Sequence, residues 1–243
     1  HTPQASGGFV PPVKLIGGHA APTKVFQPPT QAHWSSAGTI IVDESYKRRD
    51  GKTCQAIFLG LNSKTGMYEL FYGKRDKSDA SEFYTARRET AEETSGMFDF
   101  SSGVYNDKYR VSSASGKHHA YVVRVKAPKG GIQSSVFAHN QIVLKANRAP
   151  YEWTELSLIT RIDISDAINS GILSHTKGDF VMSDVYGNYV NIFSRDAEFI
   201  SAALRASMNT RGHVHQLSFI GSWDDTRAGG NQMFLNGISR YRT

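Results

Sequence analysis

Glu89, Glu92 and Glu93 stand at i, i+3 and i+4 within Arg88-Glu89-Thr90-Ala91-Glu92-Glu93-Thr94-Ser95-Gly96. On a helix this spacing brings all three carboxylates to one face. Left uncompensated they repel, by roughly a few tenths of a kcal/mol for each exposed pair. A hard divalent cation turns that repulsion into ligation, because such ions take oxygen donors. The segment therefore proposes metal-assisted chemistry.

The elements around it must hold that face in place. Ser36–Val42, Thr53–Leu59 and Met67–Tyr72 are β-rich apolar runs, separated by the turns Lys47–Gly51 and Asn62–Gly66. A charged loop, Gly73–Asp79, leads into a helix expected over Ala80–Thr94. Ser78 or Asp79 is placed to cap it, with Glu82 completing a capping box after Asp79. Phe83, Ala86, Thr90 and Ala91 form its apolar stripe, with the three glutamates off that stripe, and Gly96 ends it. Further strands are expected over Val104–Val111 and His119–Val125, with a turn at Gly130-Gly131. Glu152–Leu158 reads as a strand or its approach, and Ile162–Ile168 as a short helix started near Asp163 or Ser165. A hairpin about Gly187-Asn188 joins Val181–Tyr186 to Tyr189–Phe193. An amphipathic helix, Ser194–Met208, follows, capped by Ser194.

This order suggests an α+β or sandwiched mixed-sheet domain over residues 35–170. Residues 1–34 form a Pro/Gly-rich N-terminal arm, and residues 171–243 a C-terminal hairpin, helix and flexible tail packed on or beside the domain. The 243 residues suffice for one such domain with extensions. The formal charge of +6 favours anionic partners without choosing among them. Cys54 is the single cysteine, which excludes an intrachain disulfide and a cysteine-based zinc site, and favours cytoplasmic or nuclear surroundings. No apolar run is long enough to cross a membrane, and no signal-peptide pattern opens the chain. It begins at His1 rather than Met, as expected of a fragment or a processed product.

The acidic helix resembles the signature of the Nudix hydrolase family: Gly, five residues, Glu, seven residues, Arg-Glu, an aliphatic residue, any residue, Glu-Glu, any residue, Gly. Arg88-Glu89 and Glu92-Glu93 match its second half at the correct spacing. Thr90 replaces the aliphatic residue and Ser95 the final Gly. In the first half Ala80 occupies the Glu position, with Asp79 one place and Glu82 two places away, and Gly73 lies one place from the expected Gly. The resemblance implies a Nudix-like sandwich that binds Mg2+ or Mn2+ against a diphosphate. It makes Glu89, Glu92 and Glu93 the metal ligands and Arg88 the group that holds loop and carboxylates together. The catalytic base is then a glutamate of the helix, Glu92 or Glu93, or a later acid, Glu152 or Glu155. Lys74, Arg75 and Lys77 meet the substrate's phosphates, with Lys108 and Arg110 as further basic candidates.

The resemblance thus implies hydrolysis of the diphosphate linkage in a nucleotide sugar, a dinucleotide or a capped RNA end. Two alternatives stand beside it. One is an inactive Nudix-like domain that binds RNA, a nucleotide or a protein partner. The other is a structural assembly protein, viral or otherwise, that forms an oligomer. His118 and His119 point to opposite faces of a strand and so do not share a metal. His213 and His215 lack a nearby third ligand for zinc. Trp34, Trp153, Trp223, Tyr84, Tyr105 and Tyr151 are read first as packing residues and second as stacking platforms. Arg205, Arg211, Arg227, Arg240 and Arg242 are read as solubilising charge, or as contacts to RNA or acidic surfaces.

Overall fold

A computed structural model of the chain describes residues 34–128, 131–207 and 213–217. Strand β1 (Ser36–Lys47) sends Ile40 and Val42 into one apolar core and Ile41 into the other. β2 (Thr53–Asn62) does the same with Ile57 and Leu59 against Phe58. A strand that is apolar on both faces needs cover on both faces.

The helices supply it. α2 (Ser134–Ala146) brings Phe137 onto the side of Ile41 and Phe58. α3 (Ile164–Asn169) and α4 (Ser194–Ser207) pack Ile164, Ala167, Phe199 and Ile200 on the side of Ile40 and Ile57. α1 (Glu82–Glu93) lies on β1, where the hydroxyls of Thr39 and Thr90 are 2.6 Å apart. The result is a mixed-sheet α/β/α sandwich, the expected class.

The sheet also contains β3 (Tyr68–Glu69), β4 (Phe71–Lys74), β5 (Arg110–Ser112), β6 (His118–Lys126), β7 (Leu156–Asp163), β8 (Phe180–Ser183), β9 (Tyr189–Ile192) and β10 (Val214–Gln216). β6 runs parallel to β1 along one edge, from Ser36 to Asp43. The opposite edge of β1 is divided. β4 pairs with Ser36–Thr39 and β2 with Val42–Lys47, both antiparallel. Between them the chain peels away as β3, which returns to β2. The sheet divides there, and α1 follows directly after β4. β9 joins β3 in parallel, so the C-terminal hairpin extends the same sheet.

Several local expectations change. Val104–Val111 is not one strand: 3-10 turns occupy Ser102–Val104 and Asp107–Tyr109, leaving only Arg110–Ser112 extended. Tyr151–Thr154 is another 3-10 turn, and the strand begins at Leu156. Ile162 and Asp163 finish β7, and α3 starts after them, capped by the Asp163 carboxylate accepting from Ser165 N and Asp166 N. α2 was not expected at all. Ser194 is the first residue of α4 rather than its cap, since the Phe193 carbonyl already accepts from Ala197 N. α1 begins at Glu82 after Ser81, and no side chain caps it. Asp79 makes no capping box because its carboxylate has other partners, described below. Residues 1–33 of the arm, Gly130, Trp223 and four of the tail arginines lie outside the described residues.

Candidate functional site

Arg88 organises the acidic helix. Its Nε and Nη2 reach the two oxygens of Asp79 at 3.3 and 2.9 Å, a bidentate pairing. Nη1 meets Glu92 Oε2 at 3.0 Å and Glu89 Oε1 at 2.8 Å. Nη2 also donates to the Lys74 carbonyl at 2.8 Å, tying the helix to the end of β4. One guanidinium thus serves three carboxylates and a backbone oxygen. All of these side chains are largely buried. Asp79 Oδ2 further accepts from Thr85 Oγ1 and from Asp76 N, at 2.9 and 2.8 Å. The loop acid is therefore a hub for Arg88, which is why it does not cap α1.

Glu93 is placed differently. Its Oε2 accepts from Tyr72 N at 2.6 Å on β4, and among the described residues no hydrogen bond reaches Oε1. Burial first, then the charge of Glu89, holds its carboxyl well above the usual carboxylate range, while the Tyr72 amide pulls the other way. Burial also pushes Glu89 up, to about 8, against the opposing pull of Arg88. Glu92 is raised too, again by burial against Arg88. Burial works against the charge on Arg88, but Asp79, Glu89 and Glu92 outweigh it and keep the guanidinium protonated. One cation, Arg88, faces three carboxylates, Asp79, Glu89 and Glu92, in a poorly solvated place, and Glu93 lies next along the helix against β4.

Gly73 makes room for this arrangement. A Cβ there would lie 2.2 Å from the Glu89 carboxyl carbon. Glycine is needed for space at this position. At the other end of α1, Ser95 takes a left-handed backbone, φ 54°. Such a backbone costs a non-glycine residue roughly 1–2 kcal/mol. Ser95 Oγ donates to the Trp153 carbonyl at 3.1 Å and its carbonyl accepts from Asn140 Nδ2 at 3.0 Å, which offsets that cost.

The remaining sequence candidates divide into near and far. Glu155 accepts from Asn62 Nδ2 at 3.3 Å, and its charge reaches Glu93. Glu152 is exposed, and its charge reaches Glu92. Ala80 is exposed. Lys74 and Lys77 are exposed in the loop, while Arg75 stacks over Trp34 at 4.0 Å. Arg110 pairs with Glu82, and Lys108 lies over Tyr109 at 5.7 Å. His118 Nδ1 meets Ser36 Oγ at 2.6 Å and His119 Nδ1 meets Ser112 Oγ at 2.8 Å, so the two turn apart. The rings of His213, just before β10, and His215, on it, have centroids 4.7 Å apart. Trp153 is buried beside Ala91 and Leu144, and Tyr105 is packed against Tyr121; Tyr84 and Tyr151 are exposed. Arg205 donates to the Leu173 carbonyl.

Among the described residues, no three His, Cys, Asp or Glu side chains converge on one point able to hold a metal ion. Glu89 and Glu92 turn towards Arg88 and Glu93 towards β4. Among the same residues, no helix is long and apolar enough to cross a membrane. Glu69 and the pair Arg195–Asp196 were absent from the sequence candidates. Glu69 adds to the charge felt by Glu93, and Asp196, fully buried, accepts from Leu70 N at 3.1 Å. Asp196 lies in the first turn of α4 and Glu69 on β3, and a single acid in either element gives no periodic signal.

No family model matches the chain, and no curated protein matches it. Solved structures similar to it include an Ap4A hydrolase of C. elegans in a binary complex, at 15% identity and TM-score 0.36, covering 70% of this chain and 92% of that one. A MutT/nudix family protein from Enterococcus faecalis is 11% identical with TM-score 0.43, covering 77% of this chain and 67% of that one. A mutT/nudix family protein from Listeria innocua is 16% identical with TM-score 0.38, covering 71% and 92%. Identities and TM-scores this low carry no inference about chemistry.

Proposed function

We propose that the protein hydrolyses the diphosphate linkage of a nucleoside diphosphate derivative, with Mg2+ or Mn2+ as its cofactor. The observation that carries this reading is the gathering of three largely buried carboxylates, Asp79, Glu89 and Glu92, on one guanidinium, Arg88, with a fourth buried carboxylate, Glu93, next along the helix. Buried carboxylates in excess of their counter-charge need either protons or a further cation.

The donor chemistry fits such an ion. All the candidates are oxygen donors, and Glu93 keeps one oxygen without a hydrogen bond from the described residues. Mg2+ commonly takes one or two carboxylates, with water and substrate phosphates completing the shell, so a closed cage of protein ligands is not required. Glu89 and Glu93 would hold the ion, with Glu92 beside them. When bound, it would polarise phosphate oxygens and make water more acidic.

The chain's own residues do the rest. Arg88 and Asp79 fix the loop against the helix. Gly73 leaves space for the Glu89 carboxylate. Glu92, Glu93, Glu152 and Glu155 are the candidates for accepting the water proton, of which Glu155 stands on the turn before β7 and within electrostatic reach of Glu93. Lys74, Arg75 and Lys77 offer positive charge to the phosphates from the loop. The resemblance to the Nudix signature gains from two offsets that move together. Gly73 and Asp79 keep the five-residue spacing of the family's Gly and Glu, with one extra residue before Arg88. Asp79 then takes the place of the signature Glu, and Ser95 stands in a left-handed position suited to the signature's final Gly.

A second reading has its own observation. Arg88 already occupies Glu89 and Glu92, as it would in a domain that binds a nucleotide, an RNA end or a protein without cleaving it. The two separate on a panel of capped RNA, ADP-ribose, NAD, dinucleoside polyphosphates and nucleoside triphosphates, run with Mg2+ and with Mn2+. Turnover that a chelator abolishes and Glu93→Gln removes supports the hydrolase. No turnover by the folded protein on any member moves the reading to the binding domain.

A further inference from the structure

Arg195 stands in the first turn of α4, an element that the sequence placed outside the core domain. Its Nε donates to Asp196 Oδ1 at 2.9 Å and its Nη2 to Oδ2 at 3.4 Å. Asp196 is fully buried and anchored to β3–β4 through Leu70 N. The guanidinium lies 4.3 Å from the Tyr72 ring centroid and 5.3 Å from that of Phe193. Two rings and one buried carboxylate therefore fix its plane. Yet 37% of its side chain remains open to solvent.

Its position relative to the carboxylates follows from Tyr72. The amide of Tyr72 holds Glu93, and the ring of Tyr72 carries Arg195. Tyr72 is thus a shared partner of Arg195, through its ring, and of Glu93, through its amide. The two charges of a diphosphate linkage are balanced overall by one divalent ion, but a positioned cation still stabilises the charge that develops on the leaving phosphate. Arg88 is committed to three carboxylates, and Arg48, Arg110, Arg124 and Arg161 each pair with an acid of their own on other parts of the sheet. Among these arginines, Arg195 combines a fixed plane, an open face and a partner, Tyr72, that it shares with Glu93. Guanidinium suits phosphate through its planar fork, and a fixed fork loses little freedom on binding.

We propose that Arg195 contacts a phosphate of the nucleotide substrate, so that α4 supplies part of the site. This rests on the hydrolase reading above, and the experiment separates the two. Arg195→Gln and Arg195→Lys are compared with the wild-type chain in steady-state hydrolysis of the panel member it turns over best. ADP binding is measured by titration calorimetry on the same proteins. Arg195→Lys retains a charge for Asp196 and keeps the test open if Arg195→Gln does not fold.

The expected result is a KM raised about tenfold, with kcat within about threefold of wild type and ADP binding weakened by a similar factor. A residue that merely neutralises Asp196 would leave KM and ADP affinity unchanged in the folded Lys variant. That outcome overturns the inference and leaves the hydrolase reading standing. If the wild-type chain turns over nothing, the hydrolase reading fails by itself. ADP binding that Arg195→Lys weakens would then retain Arg195 as the phosphate contact of a binding domain. No ADP binding by the wild-type chain would overturn both.

Discussion

Asp79 Oδ2 lies 2.9 Å from Arg88 Nη2, nine residues away across the turn that starts α1. This pair connects the glycine loop to the acidic helix. It delivers a carboxylate from the loop to the arginine of the helix.

Removing Asp79 leaves Arg88 buried with less compensation and strands Thr85 Oγ1 and Asp76 N. Breaking one partner of a buried pair costs about 3–5 kcal/mol. Glu89 and Glu92 remain as partners, so Asp79→Asn is expected at the low end of that range. Urea unfolding of the variant beside wild type measures it. A change below about 0.5 kcal/mol would mean that the contact is not structural.

Gly73→Ala places a methyl where the Glu89 carboxylate now sits. The carboxylate can move, so thermal stability is expected to fall only slightly. Turnover is expected to fall on the order of a hundredfold, because small displacements of positioned groups are that costly. Equal loss of stability and activity would instead mark Gly73 as a folding residue.

The carboxylates set a pH dependence of known sign. Glu89 titrates at about 8 in the folded chain against an ordinary value of 4.5. Between those values the folded state holds more protons than the unfolded state, so stability falls as pH rises from about 5 to about 8. The effect is on the order of a few kcal/mol in the metal-free protein. Saturating Mg2+ should flatten the slope, since it stabilises the ionised carboxylates. Melting curves from pH 5 to about 8.5, with chelator and with Mg2+, test this. A chelated protein that becomes steadily more stable over that range would contradict it.

Cys54 is expected to be a poor nucleophile. Burial, then Asp163, pushes its thiol up to about 11, against the pull of Arg48. Thiolate is then on the order of a hundredfold scarcer at neutral pH than for a free cysteine. Alkylation by iodoacetamide should be correspondingly slow, and faster in Asp163→Asn. Labelling at the rate of a free thiol would refute the assignment.

The legible parts of this chain were those whose signal is local. Thr53–Leu59 could be read as a strand because its apolar run is bounded by turns. α1 could be read because Ala86, Thr90 and Ala91 recur at helical spacing beside glutamates that sit together. The sandwich followed from that order of elements. α2 was missed because Val136, Phe137, Ile142 and Val143 are β-branched or aromatic, and Gln133 supplies no cap. In the site, Arg88 was legible as an organiser, since its partners Glu89 and Glu92 are its sequence neighbours. Asp79 was visible, but its role depends on where the loop closes. Arg195 was not legible as a site residue. Its place depends on a buried acid bonded to Leu70, 126 positions away, and on a ring of β4.

The most direct test of the central claim is Mn2+ binding, followed by the electron paramagnetic resonance signal of the free ion as protein is added. The wild-type chain is expected to deplete the signal to a saturable stoichiometry, and the folded Glu89→Gln/Glu93→Gln variant to leave it unchanged. Equal depletion by both, or none by the wild-type chain, would contradict the assignment of the buried carboxylates as a metal site.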